Sequence, residues 1–232
     1  MTHIERPAPV TAISLTAARL SIAAAITYQV ILIALIFLRP DLDPSWHTLS
    51  EWAIGPNGWI MSIAFLIWAV SYGSLYVSIR SQVRGIAGKI GLGILLICTI
   101  GTVGVGLFTT DPFDTPPDAL STTGTIHILS GPSALMLLPL AALLISLSLA
   151  LKNQAWLSAR RVLLWIAGIP LLGLVGFLVH LSIFVIPLEV EYGPGVPLGW
   201  PPRFLFLTYA VWVITLAWQA IKVRGPSRFA GA

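Results

Sequence analysis

The sequence has little charge. Only 9% of its 232 residues are Asp, Glu, Lys or Arg, whereas 56% are hydrophobic. A soluble domain carries about 25% charged residues, so this chain has too few charges to hydrate the surface of a globular protein. The apolar content likewise excludes a disordered chain. The composition therefore predicts an integral membrane protein.

Cysteine is almost absent, because Cys98 is the single one and lies in a hydrophobic run. One cysteine excludes an intramolecular disulfide and any cluster of cysteine metal ligands. The intervals between hydrophobic runs are short, the longest being about 20 residues, which is too little for a packed soluble domain. A Rossmann, nucleotide-binding or nucleic-acid-binding domain is therefore not expected.

Six hydrophobic runs are long enough to cross a bilayer, for which an α-helix needs about 20 apolar residues. We predict an all-α transmembrane bundle with six spans at 17–38, 59–79, 89–109, 125–150, 161–187 and 203–221. The whole domain, 17–222, would lie between an N-terminal tail, 1–16, and a basic C-terminal tail, 223–232.

The charges divide between the two ends of this predicted bundle. If the spans alternate in direction, 11 of the 13 basic residues lie on the side of the termini, and 8 of the 9 acids lie on the other side. The positive-inside rule then places both termini in the cytoplasm. We expect a multi-pass plasma-membrane protein in the lipid bilayer, with its basic face against anionic lipids. The net charge of +4 is thus not a nucleic-acid-binding feature.

Glycine and proline predict how the spans pack. Glycines recur along span 3, from Gly91 to Gly106. Small residues let membrane helices approach closely, so we expect span 3 to be central. Pro139 in span 4 and Pro170 in span 5 each remove a backbone donor and predict a bend.

Polar groups suited to a site concentrate on the acidic side of the bundle. His180 is the most informative, because an ionisable residue inside a span is a functional candidate by default. His127 enters the membrane from the same side on the neighbouring span, so we expect the two imidazoles to face each other, with Asp111 orienting one of them. The candidate pocket residues are His47, Ser50, Glu51, Asp111, His127, His180 and Arg203.

Several chemistries suit such a pocket. A divalent metal such as zinc would take His127, His180 and Asp111 as ligands. Haem held by the two histidines is less favoured, because electron transfer across the membrane would need a second haem near the inner leaflet, where no histidine is placed. Transport is disfavoured, because carrier cores usually place charged groups near the midplane and these spans have none there.

A hydrolase is a further interpretation of the same residues. It would combine Asp111 and a histidine with a serine nucleophile. The candidate nucleophiles are Ser50, Ser121 and Ser130. Neither a Gly-x-Ser-x-Gly elbow nor a Ser-x-x-Lys spacing marks any of them.

Four short motifs carry a family resemblance. They are Leu49-Ser50, Gly58-Trp59 at the start of span 2, Phe108-x-x-Asp111 at the end of span 3 and Gly124-x-x-His127 at the start of span 4. Over residues 17–222 the chain resembles prokaryotic six-helix membrane proteins of domain-of-unknown-function family 998, although Thr109 stands where that pattern has proline. The resemblance implies six helices in a bacterial or archaeal plasma membrane and points to Ser50, Asp111 and His127.

The favoured prediction is a small membrane protein with an outward-facing pocket between spans 3, 4 and 5, below the first outer loop. The pocket would bind a lipid headgroup, a small amphiphile or a metal ion. One alternative is a structural or accessory subunit of a larger membrane complex, with a membrane-protein partner or a second copy of the chain. The other is a membrane-embedded, metal-dependent hydrolase.

Overall fold

A computed structural model describes residues 13–188 and 192–224, and within these ranges all the regular secondary structure is helical. Six helical stretches are long and apolar enough to cross a membrane, which confirms the predicted all-α, six-span fold. The predicted tails, 1–16 and 223–232, lie mostly outside the described residues. The helices are α1 (Leu15–Leu38), α2 (Trp59–Ile79), α3 (Gly85–Leu107), α4 (Thr122–Met136), α5 (Leu138–Lys152), α6 (Arg160–His180) and α7 (Trp200–Arg224).

The helices extend beyond the predicted spans mainly at polar ends. α3 begins at Gly85, whereas the predicted span began at 89. Lys89 lies within the helix and is exposed on its surface. α7 begins at Trp200 rather than 203. Pro201 and Pro202 fit its first turn, where no backbone N–H is needed for a helical bond. α6 ends at His180, and the chain continues as a short π-helical turn, Leu181–Val185.

The helices pack in chain order into a ring. α1 packs on α2, α2 on α3, α5 on α6, α6 on α7, and α7 closes the ring on α1. α3 packs against α2, α4 and α5, in agreement with its predicted central place. A Cβ at Gly101 would collide with Ser133, and one at Gly104 would collide with Ser130, so these glycines permit the close approach of α3 and α4.

Proline divides the fourth span into two helices. α4 ends at Met136 and α5 begins at Leu138, with Pro139 in the first turn of α5. Proline cannot donate to the carbonyl four residues earlier, that of Leu135. The hydroxyl of Tyr209 on α7 donates to this carbonyl instead, at 2.5 Å. The bend predicted at Pro139 falls at this break between two helices, whereas α6 continues as one α-helix through Pro170.

The connecting segments meet at two ends of the bundle. At the end that we call the basic end, residues 80–84 contact residues 148–153, and Asn153 Nδ2 donates to the carbonyl of Gln82 at 2.8 Å. At the other end, the acidic end, the segments 39–58 and 108–121 meet the described parts, 186–188 and 192–199, of a third connecting segment. Hydrogen bonds join the first of these segments to the other two. All the candidate residues other than His180 lie in or directly below this layer.

Candidate functional site

A serine and a histidine from distant parts of the chain meet at the acidic end. His127 on α4 is 5% exposed. Its Nδ1 lies 2.7 Å from the backbone oxygen of Phe108, and its Nε2 lies 2.9 Å from Ser50 Oγ. A carbonyl oxygen only accepts hydrogen bonds, so Nδ1 must carry a proton and donate it. In the neutral imidazole Nε2 is then an acceptor, and the Ser50 hydroxyl donates to it.

Asp111 positions this histidine indirectly. Asp111 Oδ2 accepts a hydrogen bond from the Ser121 backbone N–H at 2.8 Å, and Ser121 Oγ accepts one from the Gly124 N–H at 3.0 Å. These bonds cap α4. A Cβ at Gly124 would collide with the Asp111 carboxylate. The predicted role of Asp111 in orienting an imidazole is therefore corrected: the Phe108 carbonyl orients His127, and Asp111 fixes the start of its helix.

The serine is held by a short 3-10 turn, Ser50–Ala53, in the segment between α1 and α2. The buried side chain of Arg39 anchors this turn from the end of α1. Its guanidinium donates to the carbonyls of Trp52 at 3.2 Å and Ile54 at 3.0 Å. It also forms an ion pair with Asp41 at 2.7 Å. These contacts fix the backbone that carries the serine.

The Glu51 carboxylate joins all three connecting segments of the acidic end. It is 7% exposed. One oxygen accepts from the Thr48 N–H at 2.8 Å, from the Thr48 hydroxyl at 3.1 Å and from the Tyr192 hydroxyl. The other oxygen accepts from the Phe113 N–H at 3.3 Å. Burial and the Glu51 carboxylate raise the pKa of the Tyr192 hydroxyl, which therefore keeps its proton and acts as a donor.

Arg203 and His47 also belong to this layer of contacts rather than to a binding pocket. Arg203 is buried in the first turn of α7, where its NH1 donates to the carbonyls of Gly199 at 2.6 Å and His47 at 3.2 Å. Its guanidinium lies 4.8 Å from the ring centroid of Trp52. The His47 ring stacks on Trp46, with 3.5 Å between their centroids. Both residues hold the first connecting segment over the bundle.

A cavity of about 320 Å³ lies below Ser50. It is within the size range of small-molecule pockets, toward the lower limit of about 300 Å³. The predicted pocket between spans 3, 4 and 5 is corrected, because α6 supplies no lining residue here. The lining comes from the first connecting segment, α2, α3, α4 and α7: Thr48, Leu49, Ser50, Phe65, Thr102, Val105, His127, Ile128, Gly131, Pro132, Leu135, Met136, Pro202 and Phe206.

The polar groups of this cavity are few. The Thr102 hydroxyl donates to the Cys98 carbonyl at 2.7 Å, and the Thr48 hydroxyl is bonded to the carboxylate of Glu51. The hydrogen-bonded pair of Ser50 and His127 is therefore the main polar feature of the cavity lining, and the other walls are apolar. The α4 side of the cavity is partly exposed, Ile128 by 47% and Met136 by 38%, so the cavity reaches the flank of the bundle.

His180 lies elsewhere. It borders a second cavity, between α6 and α7, and its Nε2 is 2.6 Å from the carbonyl oxygen of Pro197. The two histidines therefore do not face each other, and they do not supply paired ligands for haem. Within residues 13–188 and 192–224, no three His, Cys, Asp or Glu side chains are grouped to hold a metal. The predicted metal site of His127, His180 and Asp111 is not formed.

The contacts between α3 and α4 also explain two of the short motifs. Phe108 pairs with His127 and Asp111 with Gly124, so two motifs of equal spacing meet in antiparallel register.

A family model described as "Protein of unknown function (DUF998)" matches residues 21–219. The chain belongs to this family. The DUF998 match reaches into all six spans and includes every candidate site residue. No curated protein and no solved structure matches the chain.

Proposed function

We propose that this chain binds a small, uncharged amphiphile in the cavity below Ser50. The observation that supports this proposal is a mostly apolar cavity with a single serine–histidine pair available at its acidic end. The Ser50 oxygen keeps a lone pair after donating to His127, and this lone pair accepts a hydrogen bond from a hydroxyl group of the ligand. The hydrocarbon part packs against the aromatic and aliphatic walls.

The lining disfavours charged ligands. It contains no charged side chain, and the NH1 group of the nearby Arg203 donates to backbone carbonyls. A phosphate or a metal ion buried here would lack a compensating charge, and the cost of such burial is several kcal/mol in order of magnitude. Of the predicted ligand classes, a neutral amphiphile such as a monoacylglycerol or a long-chain alcohol therefore suits the cavity best. The exposed α4 wall gives it a route from the bilayer.

Photo-crosslinking with a diazirine-bearing monoacylglycerol tests this binding in the purified full-length chain. Gly131→Leu adds a bulky side chain to the cavity lining, and outside the backbone of its own helix no atom lies within 4 Å of the added Cβ. Gly93→Leu is the matched control, because its Cβ is equally free but Gly93 does not line the cavity. We expect crosslinked α4 peptides in the wild-type chain and in Gly93→Leu, and their loss in Gly131→Leu.

Equal crosslinking of all three proteins, or crosslinks confined to α6, would contradict the proposal. Purification with a stoichiometric membrane-protein partner and no retained amphiphile would favour the accessory-subunit alternative instead.

We further infer that both termini are cytoplasmic, in a plasma membrane whose anionic lipids contact the basic end. The segregation of charge along the sequence supports this orientation through the positive-inside rule. Asp118→Cys at the acidic end should react with a membrane-impermeant maleimide in intact cells, whereas Gln154→Cys at the basic end should react only after lysis. Native Cys98 is buried and gives little background. The reverse labelling pattern would overturn the orientation.

A further inference from the structure

We propose that Ser50 is a nucleophile and His127 its general base, so that the chain cleaves the ester bond of an acylated neutral amphiphile. The position of the substrate rests on the binding function proposed above. The assignment of the two residues rests on the hydrogen bonds between Ser50, His127 and Phe108.

These three groups form a directed chain of hydrogen bonds, in which Ser50 donates to His127 and His127 donates to the Phe108 carbonyl. The Phe108 carbonyl fixes the proton of His127 on Nδ1, at 2.7 Å, which leaves Nε2 free to accept from Ser50 Oγ at 2.9 Å. A serine nucleophile is activated when an adjacent histidine accepts its proton and a third group orients the histidine. Here a backbone carbonyl holds the place that a carboxylate commonly takes.

The other serines suggested by the sequence are engaged differently. Ser130 donates to the carbonyl of Ile126, as serines inside helices commonly do, and Ser121 caps α4. Neither borders the cavity below the first connecting segment. Ser50 is hydrogen-bonded to an imidazole and lines this cavity. Its hydroxyl therefore has a neighbouring base and can reach a ligand.

The reaction is an ordinary acyl transfer. Ser50 Oγ bonds to the acyl carbon of the ester and its proton passes to His127 Nε2. The bond from the acyl carbon to the leaving alcohol then breaks, and the alcohol oxygen takes the proton from Nε2. Water attacks the acyl-serine and gives a proton to Nε2. The bond to Ser50 breaks, and Oγ recovers that proton, so that ester and water become acid and alcohol.

The cavity suits the acyl group of such a substrate. Its apolar walls extend from Ser50 along one face of α4, through Ile128 and Leu135 to Met136. An acyl chain lying there brings its carbonyl carbon to the serine. Ser50 itself belongs to a connecting segment at the acidic end, which is the side from which water arrives.

A long-chain alkyl fluorophosphonate tests the acylation step, because it forms a stable bond with an activated serine. We expect mass spectrometry of the purified full-length chain to find the probe on Ser50. Ser50→Ala should lose this label, and His127→Gln should lower its rate of formation by about 10²-fold or more, the usual contribution of a general base. Ser182→Ala is the control, since its hydroxyl is exposed and donates to the carbonyl of Leu178.

A second variant does not depend on the stability of Ser50→Ala. The thiol of Ser50→Cys should react with an alkyl iodoacetamide, and adding His127→Gln should slow that reaction at least about 10-fold if the imidazole acts as a base. Equal rates with and without the imidazole would overturn its role.

The same samples separate this inference from the proposed binding. Crosslinking of the diazirine monoacylglycerol to α4 without fluorophosphonate labelling of Ser50 would refute the nucleophile and leave the binding site standing. Labelling of Ser50 at an unchanged rate in Gly131→Leu would refute the cavity as the place of the acyl chain. Labelling that requires both an open cavity and His127 supports the inference.

Discussion

Replacing Glu51 with Gln removes a buried negative charge that accepts four hydrogen bonds from three parts of the chain. The amide keeps one accepting oxygen and replaces the other with an NH2 group that points at donors. At least one of the Thr48, Phe113 and Tyr192 groups then loses its acceptor. A buried donor without a partner costs about 1–3 kcal/mol, and bonds to a charged acceptor are worth about 1 kcal/mol more than neutral ones. We therefore expect the free energy of unfolding to fall by about 2–4 kcal/mol.

Unfolding in mixed micelles, titrated with a denaturing detergent and followed by tryptophan fluorescence, measures this change. Limited proteolysis should in parallel show faster cleavage between residues 112 and 121, because the Phe113 N–H is no longer held. Tyr192→Phe is the matched control, since it removes one donor and keeps the carboxylate, and it should cost about 1–2 kcal/mol. The double variant should cost less than the two single changes together, because both break the same bond. A Glu51→Gln protein within about 0.5 kcal/mol of wild type would refute this account, since that is the size of an ordinary surface substitution.

Three further predictions concern the bundle and the end of α1. Gly101→Ala should lower the free energy of unfolding by about 1–3 kcal/mol through overpacking of α3 against α4, measured in the same titration. Tyr209→Phe should lower the free energy of unfolding by about 1–3 kcal/mol, because the partly buried carbonyl of Leu135 loses its donor. The guanidinium of Arg39 lowers the pKa of the Asp41 carboxyl in the folded chain, so the stability from this pair is present above the ordinary pKa and is lost as the pH falls through the lowered pKa. Thermal unfolding from pH 6 down to pH 2 should show this loss, and Asp41→Asn should remove it.

The spans were predictable because each is a long apolar run bounded by polar residues. Which face of each span packs inside the bundle could not be predicted. Lipid is as apolar as the interior of the bundle, so the residue pattern does not distinguish the lipid-facing side from the packed side. Gly101 and Gly104 were an exception. Their small size indicated a helix contact, and the structure places Ser133 and Ser130 against them.

The candidate site was predictable only in part. Ser50 and His127 were both singled out, but they are 77 residues apart and nothing in their spacing joins them. The group that orients His127 is the backbone carbonyl of Phe108, which has no signature in the residue type. Tyr192 was missed for a similar reason, since neither the residue type nor its place in an outer segment indicates the hydrogen bond to Glu51.

The expected meeting of His127 and His180 failed because it assumed that neighbouring spans face each other along their whole length. The structure breaks the fourth span at Leu137, and it is α5 that packs against α6. The imidazole on α4 turns instead to the end of α3, and His180 turns to Pro197. A helix break inside a span thus changes which side chains become neighbours.

The break at Leu137 also separates the fourth span mechanically. A continuous helix would transmit a displacement of its outer half into its inner half, but no helical hydrogen bond from Pro139 ties the two halves together here. The outer half contacts α3 and is bonded to Tyr209 on α7, whereas the inner half packs against α3 and α6. Of the fourth span only this outer half lines the cavity, so an occupant arriving from the membrane would contact half a span rather than a whole one.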